Sequence, residues 1–186
     1  MSRELTEMNL EELWQLFPVF LAKHNDLWKE WYFEEAAVLK RLIPEVKRIS
    51  HVGSTAVPVI CAKPIIDILV EISKDSNLLD YKYIIENCGY ICMAENDKRV
   101  SFNKGYTKNG FAKRVFHLHL RQTGDNDEIY FRDYLIEHPE VANEYEKLKI
   151  RLQKKYRYHR DKYTTAKTDF VKKYTEKAKT LYKNRY

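Results

Sequence analysis

A turn and a carboxylate lie close together in "HVGSTAVPVICAKPIIDILVEI", residues 51–72, and their residue types suit phosphate chemistry. Gly53 and Ser54 end an apolar strand, so backbone N–H groups and a hydroxyl form a nest for phosphate oxygens. Asp67 interrupts the next apolar run, and a carboxylate in a buried strand is costly unless something binds it. It could hold Mg²⁺ that bridges to the same phosphates, while Lys63 neutralises charge. The alternative is a plain structural turn, with the carboxylate satisfied by backbone amides.

Two histidines on a later strand are the other candidates for chemistry. His117 and His119 in "FAKRVFHLHLRQT" share one strand face at about 7 Å, a spacing that suits two ligands of one metal. With Asp67 they would form a His-His-Asp site. The alternative, which we favour, is a pair of hydrogen-bonded histidines that line a phosphate pocket. Arg121 directly follows the pair and is predicted to clamp a phosphate, and Lys104 to line the same cleft.

Hydrophobic periodicity predicts the elements that position these residues. In "IIDILVEI" the residues Asp67, Leu69 and Glu71 share one face of a strand, and the apolar residues line the other. Further strands are predicted in "VKRISHVG", "YICMAE", "RVSFNKGYT" and "FAKRVFHLHLRQT". Helices are predicted in "NLEELWQLF" after an Asn9 cap, in "HNDLWKEWYFEEAAVLKRLIP" after an Asp26 cap, and in "SNLLDYKYIIENCG". From Glu128 onward the chain is predicted to be helical, with one helix over "DKYTTAKTDFVKKYTEKAKTLY".

The order of elements predicts an α+β fold around one core, with a mixed sheet flanked by helices and a helical C-terminal part. The chain of 186 residues suits a single domain. We predict that residues 1–23 form an N-terminal helical extension, residues 24–125 the α/β core and residues 126–186 the C-terminal helices.

Charge and composition limit the classes of function. Residues 147–186 hold 15 Lys and Arg against Asp161, Asp169 and Glu176, so this segment carries +12 and the remainder −6. A basic end on an acidic body favours a polyanionic partner, such as RNA or nucleotide phosphates, although a solvated basic helical face would show the same pattern. The early carboxylates and the absence of a signal core or a membrane-length apolar run predict a cytoplasmic protein. The three cysteines, Cys61, Cys88 and Cys92, are interpreted as small apolar residues.

The segment from residue 51 to 72 closely resembles the signature of the GrpB family. The blocks "HNDLWKEWYFEE", "RVSFNKG", "FHLHL" and "YFRDYLIEHPEVANEYEKLK" resemble the family's other blocks in the same order. The resemblance covers roughly residues 24 to 180. It implies a nucleotidyltransferase-like fold of the DNA polymerase β superfamily and a relation to the C-terminal extension of some dephospho-CoA kinases. The family also carries a similar Tyr and Lys at Tyr163 and Lys167, which are therefore expected near the cleft.

In that superfamily a Gly-Ser turn contacts the nucleotide phosphates, and a strand about a dozen residues later carries two acids for two metal ions. Gly53 and Ser54 match the turn, and Asp67 matches the first acid after twelve intervening residues. Leu69 stands where the second acid is expected. Glu71 shares the face of Asp67 but lies about 13 Å away, too far to replace that acid. Two-metal transfer needs both ions, so binding is better supported than catalysis.

The sequence therefore predicts a protein that binds a nucleotide or another phosphate-bearing small molecule, with Mg²⁺ held by Asp67 and with nucleotidyl or phosphoryl transfer as an open question. The alternative is a catalytically inactive module whose basic C-terminal helices contact RNA or an acidic protein. The phosphate-binding residues are predicted to be His51, Gly53, Ser54, Thr55, Lys63 and Arg121, and the pocket-lining residues Lys104, His117, His119 and Lys167.

Overall fold

The computed structural model describes residues 4–183, 185 and 186, and its centre is a five-stranded mixed sheet. The strands are β1 (Arg48–Val52), β2 (Ile66–Ile72), β3 (Ile91–Asn96), β4 (Arg99–Thr107) and β5 (Gly110–Gln122). They lie in the order β1-β2-β5-β4-β3. Only the β2–β5 pair is parallel among these strand pairs; the other three are antiparallel. The parallel pair brings two segments together that are about fifty residues apart in sequence.

The two faces of β2 have different environments, as its alternation predicts. Ile66, Ile68, Val70 and Ile72 lie on the face that packs against helices α2 (Leu27–Leu42) and α3 (Lys82–Glu86). Burial of such branched side chains contributes about 1.5–3 kcal/mol each before entropy is counted. This core holds the sheet rigid, so side chains on the opposite face of β2 and β5 keep fixed positions.

Four C-terminal helices lie on the side of the sheet that carries Asp67. They are α4 (Asp127–Glu137), α5 (Pro139–Tyr156), α6 (Arg160–Thr165) and α7 (Thr168–Leu181). A cluster rich in tyrosine joins α4, α5 and α7 to Val57 and Ile60 of the segment between β1 and β2. These helices therefore form the wall of a cleft whose floor is the sheet.

The N-terminal part confirms the predicted first helix, α1 (Leu10–Leu16), which Asn9 caps by accepting a hydrogen bond from the Glu12 N–H at 3.0 Å. A short 3₁₀ helix precedes it at Leu5–Glu7. Residues Met1 to Arg3 of the predicted extension lie outside the described residues. Ala22 pairs with Ala62, which ties the extension to the segment between β1 and β2.

Three sequence predictions need correction. Asp26 has helical dihedral angles and makes no capping hydrogen bond; the Asn25 side chain instead accepts from the Leu27 N–H at 3.0 Å, because an Asx turn starts one residue earlier. The segment 78–86 divides into a 3₁₀ turn, Leu78–Tyr81, and α3. The expected last helix divides into α6 and α7 at residues 166–167, beside several threonines of low helix propensity.

Within the described part of the chain, no helix combines the length and the apolar character needed to cross a membrane.

Candidate functional site

Asp67 and the Gly53 turn form the centre of the candidate site. Gly53 ends β1 with φ +71°, a conformation that glycine adopts without strain. Its Cα lies against the Asp67 carboxylate so closely that a Cβ there would be 2.3 Å from Oδ2. The Asp67 side chain retains 28% exposure. The turn therefore packs on one carboxylate oxygen and leaves the group partly exposed.

Both predicted histidines approach the other oxygen of Asp67. In the parallel β2–β5 register Asp67 is the partner of His117, and Leu69 is the partner of His119. His117 Nδ1 lies 3.3 Å and His119 Nε2 lies 3.4 Å from Asp67 Oδ1. The structure thus brings the three residues together, in the arrangement of hydrogen-bonded histidines.

Tyr106, the second hydrogen-bond partner of His117, determines which ring nitrogen of His117 donates. Arg160 Nη2 donates to the Tyr106 hydroxyl at 2.7 Å, because a guanidinium only donates. The Tyr106 O–H then donates to His117 Nε2 at 2.8 Å, and His117 Nδ1–H donates to Asp67. A neutral imidazole in one tautomer satisfies every partner in this chain.

The second histidine is oriented in the same way. Arg121 Nη2 lies 3.5 Å from His119 Nδ1, which must accept, so the His119 Nε2–H is free to donate to Asp67. Arg121 is 5% exposed, and its Nη1 also donates to the carbonyls of Val100 and Leu120 at 3.1 and 2.9 Å. Arg121 therefore positions His119 from beneath the cleft; the predicted phosphate clamp would need a guanidinium that faces the cleft.

The carboxylate is held in its charged form. Burial is the largest influence and raises the pKa of Asp67, but the hydrogen bonds from His117 and His119 outweigh it and hold the pKa far below its ordinary value. Burial lowers the pKa of His117, which fits the neutral ring that the hydrogen-bond chain requires.

Two lysines stand over one aromatic ring beside this carboxylate. The Lys63 and Lys167 ammonium groups lie 5.7 and 4.4 Å from the centroid of the Tyr163 ring. Burial, with the positive charges of Lys167 and Arg160, lowers the pKa of Lys63 to about 7. Burial lowers the pKa of Lys167 to about 8, although Asp67 opposes the shift. The predicted Lys63 and Lys167 therefore meet at the site from distant parts of the chain.

A clamp from α5 holds the segment that carries Lys63. Glu146 accepts a hydrogen bond from the Cys61 N–H, and Lys149 donates to the Cys61 carbonyl. Lys149 is buried with its ammonium group 4.9 Å from the centroid of the Tyr145 ring, and burial lowers its pKa to about 7. The clamp fixes an irregular segment that would otherwise place Lys63 loosely.

Gly53 and Ser54 open onto a cleft of about 690 Å³. The Tyr145 side chain lines this cleft together with Ser54, and burial raises the pKa of Tyr145. The cleft is lined by residues of the turn, the sheet edge and the C-terminal helices, among them Arg99, Thr164, Lys167, Lys172 and Thr175. Its volume falls within the range of about 300–1,000 Å³ that is typical of small-molecule sites.

Three predicted residues lie away from this cleft. His51 lies on the opposite face of the sheet from Asp67, because its cross-strand partner is Ile68. Its ring stacks on Tyr32, with 4.8 Å between the ring centroids. Thr55 is buried; its hydroxyl donates to the Ile65 carbonyl at 3.2 Å and is 3.0 Å from His51 Nε2. Burial lowers the pKa of His51 to about 4. Both residues support the turn from behind.

Lys104 also lies on the α2 face of the sheet. It pairs with Phe116 across β4 and β5, and its ammonium group contacts Glu35 at 2.7 Å. Strand alternation decides this placement, since its neighbour Asn103 pairs with His117 on the cleft face.

The position of the expected second acid is closed. Leu69 is 0% exposed and packs with Val52 and with Ile129 of α4. Glu71 is 1% exposed and accepts from the Gly124 N–H at 3.0 Å and the Asn126 side-chain amide at 3.2 Å. Neither residue offers a carboxylate to the cleft, and Glu71 instead holds the loop between β5 and α4.

The nucleotidyltransferase-like fold implies two Mg²⁺ ions, which would need oxygen ligands from the side chains around Asp67. Mg²⁺ prefers six oxygen ligands, and a two-metal site needs several carboxylates close together. On β2 Asp67 is the one acid beside the cleft, and the acids that line the cleft, Asp127, Glu128 and Glu176, lie on α4 and α7. Across residues 4–183, 185 and 186, no group of three or more His, Cys, Asp and Glu side chains has an arrangement that could hold a metal ion. The residues present do not fit the two-metal group.

Sequence reasoning missed the residues that orient the predicted ones: Tyr106, Tyr145, Glu146, Lys149 and Arg160. One signal for Tyr106 was present in the sequence. Tyr106 directly follows Gly105 on a predicted strand, and a glycine inside a strand often marks a bulge; β4 has a register shift at this point. Arg160 and Lys149 carried no local signal, because they reach the site through the packing of α5 and α6.

The chain matches the family model described as GrpB protein over residues 18–177. It is 32% identical over 183 residues to the UPF0157 protein YqkA of Bacillus subtilis, covering 95% of this chain and 52% of that protein. It is 37% identical over 161 residues to the glutamate-rich protein GrpB of Alkalihalophilus pseudofirmus, covering 82% of this chain and 91% of that protein. The chain thus spans about half the length of one relative and most of the other.

Solved structures show the same fold. The conserved protein GrpB from Enterococcus faecalis superposes with a TM-score of 0.76 and 32% identity, covering 88% of this chain and 99% of that one. Cid1 poly(U) polymerase, solved with Mg and 3′-dATP bound, superposes with a TM-score of 0.50 and 12% identity, covering 79% of this chain and 45% of that one. The fold is therefore nucleotidyltransferase-like.

Proposed function

The chain belongs to the GrpB family, and from that premise we propose that it binds a nucleotide or another phosphate-bearing small molecule in the cleft beside Asp67. One observation carries the proposal: the Gly53-Ser54 turn opens onto the cleft in which Lys167 lies, and Lys63 shares the Tyr163 ring with Lys167. A nest of backbone N–H groups beside two ammonium groups matches the oxygens and the charge of a phosphate chain.

The proposal concerns binding, since transfer of a nucleotidyl group by the two-metal route lacks its ligands here. The chain's own residues can bind and orient the ligand. Ser54 offers a hydroxyl to the cleft, and the helices α5 to α7 shield the phosphates from part of the solvent. Such shielding strengthens each charge-assisted hydrogen bond.

Isothermal titration against ATP, GTP, CTP, UTP and inorganic triphosphate tests this proposal. We expect saturable binding of at least one ligand, and a loss of about tenfold or more in affinity for Ser54→Ala and Lys167→Met, because hydrogen bonds to charged groups contribute about 1.5–3 kcal/mol. The matched control is Lys108→Met, which removes one exposed lysine from the turn between β4 and β5. Wild-type protein that binds none of these ligands would overturn the proposal.

A second candidate function is the binding of RNA along the C-terminal helices. It is favoured by an exposed groove between α5 and α7 in which Lys147, Arg151 and Phe170 lie together. Cations interleaved with aromatic rings track a backbone and stack bases. Anisotropy titration with single-stranded RNA should then show an affinity that falls steeply with salt and weakens in Arg151→Met. Failure to bind RNA or heparin at low salt would exclude this candidate.

A further inference from the structure

This inference rests on the proposed function and concerns how the cleft neutralises its ligand. We infer that the cleft binds a phosphate chain without a divalent cation, and that Lys63, Arg160 and Lys167 supply the positive charge. The side chains present do not form the two-metal site that this fold usually has.

The first reason is the shortage of carboxylates. Asp67 is the one acid of β2 beside the cleft, since Leu69 is buried beneath Ile129 and Glu71 is held by the Gly124 loop. The acids that line the cleft, Asp127, Glu128 and Glu176, lie on α4 and α7, and Asp127 is paired with Lys179. A cation bound to one carboxylate would depend on the ligand for nearly all its other oxygens. The chain therefore contributes little to a metal site.

The second reason is the state of the carboxylate itself. Asp67 Oδ1 accepts from His117 and His119, at 3.3 and 3.4 Å. The lone-pair nitrogens of these rings point away from it, His117 Nε2 toward Tyr106 and His119 Nδ1 toward Arg121. An imidazole binds a metal through its lone pair, so both rings would have to turn before they could join Asp67 at a metal.

The third reason is the group of cations near Asp67. Lys167 lines the cleft, Lys63 and Arg160 line a second cavity, and Lys63 and Lys167 share the Tyr163 ring. In the described residues no carboxylate lies within ion-pair distance of Lys63, Arg160 or Lys167. Arg160 is two hydrogen bonds from His117, through Tyr106. Like charges repel strongly in a partly desolvated site, and an anion relieves that repulsion. A phosphate chain, with several negative charges, is the complementary ligand.

Calorimetric titration of ATP and of inorganic triphosphate, each in EDTA and in excess Mg²⁺, tests the inference. We expect affinity in EDTA to equal or exceed that in Mg²⁺, because Mg²⁺ bound to the phosphates would shield them from the protein's own cations. Lys63→Met and Lys167→Met should each weaken binding in EDTA about tenfold or more, with Lys108→Met, at an exposed lysine between β4 and β5, as the matched control. Binding that occurs only in Mg²⁺ would overturn the metal-free site and leave the proposed function standing. No binding in either buffer would overturn both.

Asp67→Asn provides an independent test, because Mg²⁺-dependent binding and metal-free binding predict opposite changes in affinity. A metal ligand lost at this position would abolish Mg²⁺-dependent binding. In a metal-free site the same change removes a negative charge from beside an anion and keeps the shape, so we expect triphosphate to bind several-fold more tightly in EDTA. Weaker binding by a variant whose circular dichroism and melting temperature match the wild type would contradict the inference.

Discussion

Gly53 lies so close to Asp67 that the carboxylate occupies the space a Cβ would need, with Oδ2 2.3 Å from the ideal Cβ position. The glycine of this turn therefore has two roles. It adopts φ +71°, and it lets the turn and the carboxylate share one end of the cleft. The relationship explains why the two features of residues 51–72 act as one site.

Gly53→Ala should destabilise the protein and displace Asp67. The backbone conformation alone costs about 1–3 kcal/mol for a residue with a side chain, and the clash adds to it. We expect a lower urea midpoint and weaker ligand binding. Gly89→Ala is the matched control, because Gly89 also has a positive φ but its Cβ would meet only Lys104 Cε at 3.9 Å. Equal losses in the two variants would show that the close approach to Asp67 has no energetic weight.

Leu69→Asp restores the acid of the superfamily pattern and should fail to create a metal site. The side chain would enter the apolar contact with Val52 and Ile129, so we expect a loss of more than about 3 kcal/mol in the free energy of unfolding. Chemical denaturation measures this loss. Leu69→Met conserves the volume and should cost less than about 1.5 kcal/mol. A stable Leu69→Asp protein that binds Mn²⁺ would refute this reading of the position.

Tyr106→Phe should release the tautomer of His117. The change leaves His117 Nε2 without its donor and Arg160 without its acceptor, at a cost of about 1–3 kcal/mol. Nitrogen NMR of the imidazole should show Nδ1–H in the wild type and a mixture in the variant. Tyr83→Phe removes the same atom from an exposed ring and should change neither property. A His117 tautomer that is unaffected by Tyr106→Phe would argue against the hydrogen-bond chain.

The lysines make the stability of the ligand-free protein depend on pH. The pKa of Lys63 is lowered to about 7 and that of Lys167 to about 8 in the folded state, against 10.5 for the ordinary side chain. Between about pH 7 and 10 the unfolded chain therefore binds more protons, and the contribution of these groups to stability rises with pH. The groups that face them are Asp67, Lys149, Arg160 and Tyr163, and the two lysines also face each other.

Melting temperatures between pH 7 and 10 test this dependence as a difference between variants. The wild type should gain more stability over this range than Lys63→Met, because the variant has lost one group that releases its proton on folding. Lys147→Met, an exposed lysine, should follow the wild type. A steeper rise in Lys63→Met than in the wild type would reverse the sign that burial predicts.

The sequence alone predicted the local features of the chain. The apolar alternation of β2 predicted which of its residues face the core, and the Gly53-Ser54 pair followed by Asp67 after twelve intervening residues predicted the turn and its carboxylate. These features depend on strand periodicity and on the conformational freedom of glycine, which act over a few residues. The fold class followed, because the order of helices and strands limits the layers that can form.

Tertiary structure alone decided which side chains reach the cleft. The parallel pairing of β2 with β5 brings His117 and His119 to Asp67, and the packing of α5 and α6 brings Lys149 to the Cys61 carbonyl and Arg160 to the Tyr106 hydroxyl. The strand registers place His51 and Lys104 on the opposite face of the sheet from Asp67. The packing of α4 against the sheet buries Leu69. Register and helix packing join residues far apart in sequence, so no local pattern encodes them.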